Sequence, residues 1–313
     1  MRNARMKVAL VAALVSLTAL TAAGHAMNFS AWGTAQKIDE TAGNNSELNT
    51  PFQDGCPIQS PDGLSLYMAS NRTGGLGLLD IWVAHRDSTD DPWGAPENLG
   101  APVNSAADDF CPTPIQGGGL FFVSREANPG SCGQGDIYFT KKNPVKGWAE
   151  PRNLGCAPVG PNTALDEQGP SYVENDEEGY LFFSSSSAVV AGDIYVSPRL
   201  TGWNFGGSSS VAELNVPTAN DIQPNVRKDG LEVVFSSNRA GGLGAQDIWV
   251  ATRDEFGAPW SAPVNLGGAI NTAAAESRPS LSKNARQLLF GRSPGPEGIG
   301  DIYVSTRSKA NGD

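Results

Sequence analysis

Five carboxylates recur at a fixed distance before a proline. They are Asp54 in Asp54-Gly-Cys-Pro57, Asp109 in Asp109-Phe-Cys-Pro112, Glu167 in Glu167-Gln-Gly-Pro170, Asp221 in Asp221-Ile-Gln-Pro224 and Glu276 in Glu276-Ser-Arg-Pro279. Gathered round a channel mouth, such groups offer the all-oxygen environment that calcium or magnesium takes. Two of them at a suitable separation would also serve acid–base cleavage of a glycosidic bond. The competing role is structural. Each carboxylate accepts backbone N–H bonds or is held by a loop arginine, Arg72, Arg125, Arg239 or Arg292, as a bidentate pair. Repetition in every copy favours bracing, because an asymmetric ligand has little use for five identical acids. The third copy carries Ser184-Ser-Ser-Ser187 where the others carry the arginine. On this reading Glu167 or its neighbour is left free.

Other residues narrow the chemistry. A second acidic series, Asp80, Asp136, Asp193, Asp247 and Asp301, opens each Asp-Ile-(Trp/Tyr) run. Its expected role is a turn aspartate bonding local N–H groups. Asn49, Asn104, Asn162 and Asn271 each stand five residues before a rim acid, and the fourth copy has Val216 there. These amides are expected to bridge neighbouring units. Beyond residue 26 the chain has one histidine, His85, which excludes His–His metal pairs and Ser-His-Asp triads. No nucleophile elbow, phosphate loop or dinucleotide fingerprint occurs. Catalytic residues of those classes are therefore absent, and the resident cofactor expected is none, calcium aside.

These residues need a scaffold that repeats. Aligned on Asp-Ile-(Trp/Tyr), the copies follow at intervals of 56, 57, 54 and 54 residues. Trp32, Trp93, Trp148, Trp203 and Trp260 form another series in phase, three of them opening a phrase that ends Asn-Leu-Gly. Each copy holds four strand signals. Strand A follows the acid and ends in a turn such as Asp62-Gly63 or Asp229-Gly230, where glycine takes the left-handed position of a hairpin. Strand B is an apolar run such as Val233-Val-Phe235, strand C is the Asp-Ile-Trp run, and strand D starts at the tryptophan. Four antiparallel strands, five times over, predict an all-β, five-bladed β-propeller. The last copy stops after strand C, and an orphan strand D, Trp32 to Ile38, precedes the first. The N-terminal strand is thus expected to close the last blade and leave no free sheet edge.

Residues 1–26 read as a secretory signal peptide, with Arg2, Arg5 and Lys7 before an apolar run and small residues at the cut. Residues 27–313 then form a single domain. Removing those three basic residues takes the net charge from −11 to −14, which argues against nucleic acid and anionic membranes as partners. No membrane span is expected after cleavage, and a monomer in the periplasm or secreted is expected. In that oxidising setting Cys132 is expected to pair with Cys156, and Cys56 with Cys111. The latter two hold equivalent places in adjacent blades, and they bridge only if their Cα atoms lie within ~7 Å.

The phrase Asn71-Arg72-Thr-Gly-Gly-Leu-Gly77-Leu-Leu-Asp80-Ile-Trp82, repeated from Asn238 to Trp249, with Ser60-Pro61-Asp62-Gly63 before strand B, resembles the WD-like propeller repeats of the TolB type in bacterial envelope proteins. That resemblance covers nearly all of the chain beyond residue 26. It implies a propeller used as an interaction surface. TolB itself adds an N-terminal domain and a sixth blade, so its partners are not carried over. The main expectation is a non-catalytic module that binds a protein, glycan or envelope component at the loop-rich face. The alternatives are an arabinanase-like glycoside hydrolase or lyase using the central carboxylates, and a propeller stabilised by calcium at the channel mouth.

Overall fold

The computed structural model describes residues 29–187, 189 and 191–309. The expected signal peptide lies outside the described residues. The chain folds into five antiparallel sheets arranged as the blades of a propeller. Their innermost strands are Asp54–Gln59, Asp109–Ile115, Asp166–Glu174, Asp221–Val226 and Ala275–Leu281. The fifth blade takes its outer strand, Gln36–Lys37, from the start of the chain, with Gln36 opposite Val304 and Lys37 opposite Tyr303. The ring therefore closes as the permuted repeat requires. The outer strands are shorter than expected and start later. Glu97–Asn98, Arg152–Asn153, Ser209–Ser210 and Val264–Asn265 all lie beyond the tryptophan of their copy.

The tryptophans instead cap the blades. A cation from the end of the third strand lies over each ring: Arg86 over Trp93, Lys142 over Trp148, Arg199 over Trp203, Arg253 over Trp260 and Arg307 over Trp32. Such contacts are worth up to ~2 kcal/mol when desolvated. The apolar second strands fill the space between blades, with Phe121, Phe183, Phe235 and Phe290 fully buried.

Every innermost strand carries a β-bulge at the acid-x-x-Pro phrase. Proline has no N–H to give the ladder, and a bulge takes it out of register. The residue before each proline adopts a left-handed backbone: φ is 47° at Cys56, 48° at Cys111, 57° at Gly169, 56° at Gln223 and 57° at Arg278. Four of the five are not glycine. This local twist decides which side chains reach the axis.

Loops on one face join blade to blade. Leu78 N–H donates to Ala107 C=O at 3.1 Å, and Gln134, Ala245 and Ile299 make the same bond to the next linker. The last glycine of Gly-Gly-Leu-Gly is needed here. A Cβ on Gly77 would lie 2.2 Å from Ala107 O, and one on Gly244 would lie 2.1 Å from Ala274 O.

Candidate functional site

The repeated acids are rivets between blades. Each donates its own backbone N–H to the carbonyl just before the turn aspartate of the preceding blade: Asp54 to Gly300, Asp109 to Leu79, Glu167 to Gly135, Asp221 to Gly192 and Glu276 to Gln246, at 2.7–2.9 Å. Their side chains turn back into the linker that precedes them. Asp54 accepts from Thr50 N–H and Oγ1, Asp109 from Ser105, Glu167 from Thr163, Asp221 from Val216 N–H and Glu276 from Thr272. All five are buried, and none lines the channel. The expected ring of carboxylates round the axis is therefore absent. Among the described residues no group of three or more His, Cys, Asp or Glu is placed to hold a metal ion.

Arginine braces only three of them. Arg72 Nη2 meets Asp54 at 2.6 Å, Arg239 Nη2 meets Asp221 at 2.5 Å and Arg292 Nε meets Glu276 at 2.7 Å. Arg125 does not brace Asp109. Asp109 lies opposite Ser124, as Asp54 lies opposite Ser70, so Arg125 takes the place of Asn71 and Glu126 that of Arg72. Asp109 thus joins Glu167 as an acid without an arginine. Asp109 Oδ1 and Glu167 Oε2 are buried with no hydrogen-bond partner. Burial raises the pKa of both carboxyls above their ordinary values, since neither has a cation to offset desolvation.

The other repeated polar residues hold the frame. Asp80 accepts from Leu76 and Gly77 N–H, and Asp136 and Asp247 do the same for their loops. Asn104, Asn162, Asn271 and Asn49 each pair with both backbone groups of the isoleucine after a turn aspartate, as Asn104 does with Ile81. The fourth copy keeps the device one residue early: Asn215, beside Val216, pairs with Ile194. His85 is exposed, and its Nδ1 lies 3.0 Å from Ser65 Oγ.

The axis belongs to residues that the repeat pattern passed over. The five left-handed positions before the prolines converge on a throat of about 30 Å³. Two of them, Cys56 and Cys111, form a disulfide across adjacent blades, their Cα atoms 4.9 Å apart. Cys132 and Cys156 form the second disulfide. The throat has room for little more than a water, so a ligand must sit at a mouth rather than thread the ring. The hairpin-side mouth is a cavity of about 150 Å³ with Gln59, Thr113, Lys228 and Lys283 in its wall.

The loop-rich mouth holds the charges. Arg125 spans two carboxylates from adjacent blades: Nη1 meets Asp108 Oδ2 at 3.1 Å, while Nε and Nη2 meet the two oxygens of Asp166 at 3.1 and 2.7 Å. Gln168 also donates to Asp166, at 2.8 Å, and accepts from Gln223 at 3.0 Å. Arg125 keeps 35% of its side chain exposed, Asp108 18% and Asp166 11%. Arg278 lies close enough to feel all three, and burial together with Arg125 lowers its pKa to about 10. The signal for these residues was in the sequence. Aligned on the acid, the preceding position reads Gln53, Asp108, Asp166, Asn220 and Ala275, so only the second and third copies carry a carboxylate.

No family profile matches the chain, and no curated protein matches it. Solved structures do. A thermostable family-43 glycoside hydrolase aligns over 86% of this chain and 91% of its own, with 12% identity and a TM-score of 0.54. An endo-arabinase from Bacteroides thetaiotaomicron aligns over 91% of this chain and 100% of its own, with 13% identity and a TM-score of 0.54. A family-43 endo-arabinanase from Bacillus licheniformis aligns over 81% and 93%, with 12% identity and a TM-score of 0.52. At such identity the likeness establishes the five-bladed fold. It also corrects the main expectation from the sequence. These propellers are named as glycoside hydrolases, not as TolB-type interaction surfaces, and the non-catalytic module expected from that resemblance is not carried forward.

Proposed function

We propose that the protein is a glycan-cleaving propeller, a glycoside hydrolase working at its loop-rich mouth. The observation that carries the reading is the pair Asp108 and Asp166, a part-exposed and a nearly buried carboxylate on adjacent blades bridged by one guanidinium. One guanidinium and its two hydrogen bonds span a gap of the order of the ~5–9.5 Å over which paired glycosidase carboxylates act. Asp166, with three N–H donors aimed at it, suits the role of base or nucleophile. Asp108 is the more exposed of the two, accepting from Arg125 Nη1 at 3.1 Å and from Leu79 N–H at 3.0 Å, and is assigned as its partner carboxylate. Arg125 positions both carboxylates. The five rim acids are left out of this reading, because all are buried and none lines the throat.

Two disulfides suit an oxidising compartment outside the cytoplasm, and no helix of the described residues is long and apolar enough to cross a membrane. The substrates to try first are those for which the structural neighbours are named, arabinan and xylan. Release of reducing ends from either, lowered by about 10²-fold or more in Asp108→Asn and Asp166→Asn, is the expected result. Turnover that survives both substitutions would refute the assignment of the pair, and no turnover of any glycan would refute the hydrolase reading.

A further inference from the structure

Arg278 is the one axial residue whose charge the repeat does not explain. Its guanidinium makes no hydrogen bond or ion pair among the described residues. Only its backbone N–H is engaged, by Ser236 Oγ at 3.0 Å. Every other arginine at a blade joint braces something: Arg72 an acid, Arg125 two acids, Arg239 and Arg292 an acid each. A guanidinium left unpaired in a half-buried place gives up part of its hydration and gains no partner in return.

The fold makes room for it. Gly55, on the neighbouring first blade, is the copy in which the residue after the rim acid has no side chain; its counterparts are Phe110, Gln168, Ile222 and Ser277. A Cβ on Gly55 would lie 3.1 Å from Arg278 Nη1. The guanidinium thus packs against the bare backbone of Gly55. Next to it in the ring, Gln223 is 5% exposed and its Oε1 is buried without a partner. An unpaired cation and an unpaired acceptor therefore line the same throat, on the fifth and fourth blades. Asp108 and Asp166, already engaged by Arg125, stand across the mouth on the second and third.

We infer that Arg278 and Gln223 form a subsite for an acidic sugar, Arg278 taking the carboxylate of a uronate residue and Gln223 Oε1 accepting from one of its hydroxyls. The inference rests on the glycan reading above and names its substrate class. Guanidinium matches carboxylate with two parallel N–H bonds, and with a pKa of about 10 Arg278 remains a cation at neutral pH. Neutral sugars would leave the fork unpaired, so the site discriminates by charge.

The test is binding of D-glucuronate, glucose and acetate to the intact protein, followed by calorimetry or by amide shifts in NMR. The variants are Arg278→Gln, Arg278→Lys and Gly55→Ala. Arg278→Gln keeps the backbone, since Gln223 already occupies the equivalent place at nearly the same φ, 56° against 57°. The expected result is that glucuronate binds more tightly than both glucose and acetate. Arg278→Gln should then weaken glucuronate about ten- to a hundredfold, the equivalent of ~1.5–3 kcal/mol for a hydrogen bond to a charged group. Arg278→Lys should recover part of this, and Gly55→Ala should weaken binding with the charge intact. Equal binding of glucuronate and glucose, acetate binding as tight as glucuronate, no binding at all, or an unchanged Arg278→Gln would each overturn the subsite. Failure of the two readings is distinguishable. Arg278-dependent glucuronate binding without cleavage of any glycan leaves the subsite and sinks the hydrolase. Cleavage of a neutral glycan without uronate preference does the reverse.

Discussion

Asp54 and Asp109 are equivalent positions in adjacent blades, yet the structure gives them opposite sensitivities to loss of charge. Asp54 is fully buried, takes N–H and O–H bonds from Thr50 at 2.7 and 2.6 Å, and pairs with Arg72 at 2.6 Å. Asp54→Asn removes the charge opposite a guanidinium that is 9% exposed and leaves it only neutral partners, Ser70 Oγ and Glu47 C=O. Breaking one side of a buried ion pair costs ~3–5 kcal/mol. Asp109 has the same contacts to Ser105 at 2.6 and 2.7 Å but no arginine, and its Oδ1 faces no donor. Asp109→Asn keeps an oxygen for Ser105 and relieves a desolvated charge, so it should fall within ~1 kcal/mol of the parent at pH 7 or exceed it. The sign of the pH dependence follows. Burial raises the Asp109 carboxyl above its ordinary 3.8, so the folded protein binds its proton at a pH where the unfolded chain does not. Between the two values stability rises as pH falls, and any advantage of Asp109→Asn at neutral pH should shrink there. Glu167, raised by burial above its ordinary 4.5, contributes in the same sense. Urea unfolding of the two variants at pH 7 and pH 5 measures all of this, with stability read from the midpoint at unchanged m. Equal losses in Asp54→Asn and Asp109→Asn would refute the reasoning. So would an advantage for Asp109→Asn that grows on acidification, or a cost that shrinks.

Three further outcomes are expected. Asn215→Ala should cost ~2–4 kcal/mol in the same unfolding assay, as should Asn271→Ala. Each loses two bonds to an isoleucine backbone, of the kind worth ~1–3 kcal/mol when a buried group is left unpaired. Val216→Ala, the position at which the repeat aligns in the fourth copy, should cost less. Replacing Cys56 and Cys111 by serine frees a loop of sequence separation 55, which the chain-entropy relation values at about 4 kcal/mol, and calorimetry should show the corresponding fall in Tm. Gly244→Ala should destabilise by ~1–3 kcal/mol, because the added methyl meets backbone rather than a movable side chain. An unchanged melting curve would show that the loop shifts freely.

The architecture was legible because repetition multiplies weak signals. Five blades, closure by the N-terminal strand, the Cys56–Cys111 disulfide and the turn aspartates Asp80, Asp136 and Asp247 follow from residues that recur in phase. The contents of the mouth were not legible, and one backbone feature explains why. Strand alternation places the rim acid and the residue two on from it on the same face. The bulge breaks that alternation within acid-x-x-Pro, sending the acid into its linker and the residue before proline to the axis. Matching arginines by type rather than by register hid Arg125 in the same way, since Ser124-Arg125 stands where Ser70-Asn71 stands. A linker longer by one residue displaced Asn215 likewise.

Where a propeller does its chemistry follows from what repetition is for. A residue present in all five copies serves what all five blades need, which is attachment to the next blade, and the buried acids, linker amides and turn aspartates are spent on it. A ligand lying across the axis meets five blades at once and needs something different from each. Its contacts must therefore come from positions where the copies disagree. The two axial registers behave in this way. One reads Cys56, Cys111, Gly169, Gln223 and Arg278, the other Gln53, Asp108, Asp166, Asn220 and Ala275. In the first, two residues are withdrawn into a disulfide and one is glycine, which leaves an amide and a cation on the fourth and fifth blades. In the second, the carboxylates stand on the second and third. Charge is thus polarised across the axis, anionic oxygens held by Arg125 on one side and the unpaired guanidinium of Arg278 on the other. In the proposed subsite, a hydroxylated ligand with one acidic group would meet that asymmetry in a single orientation.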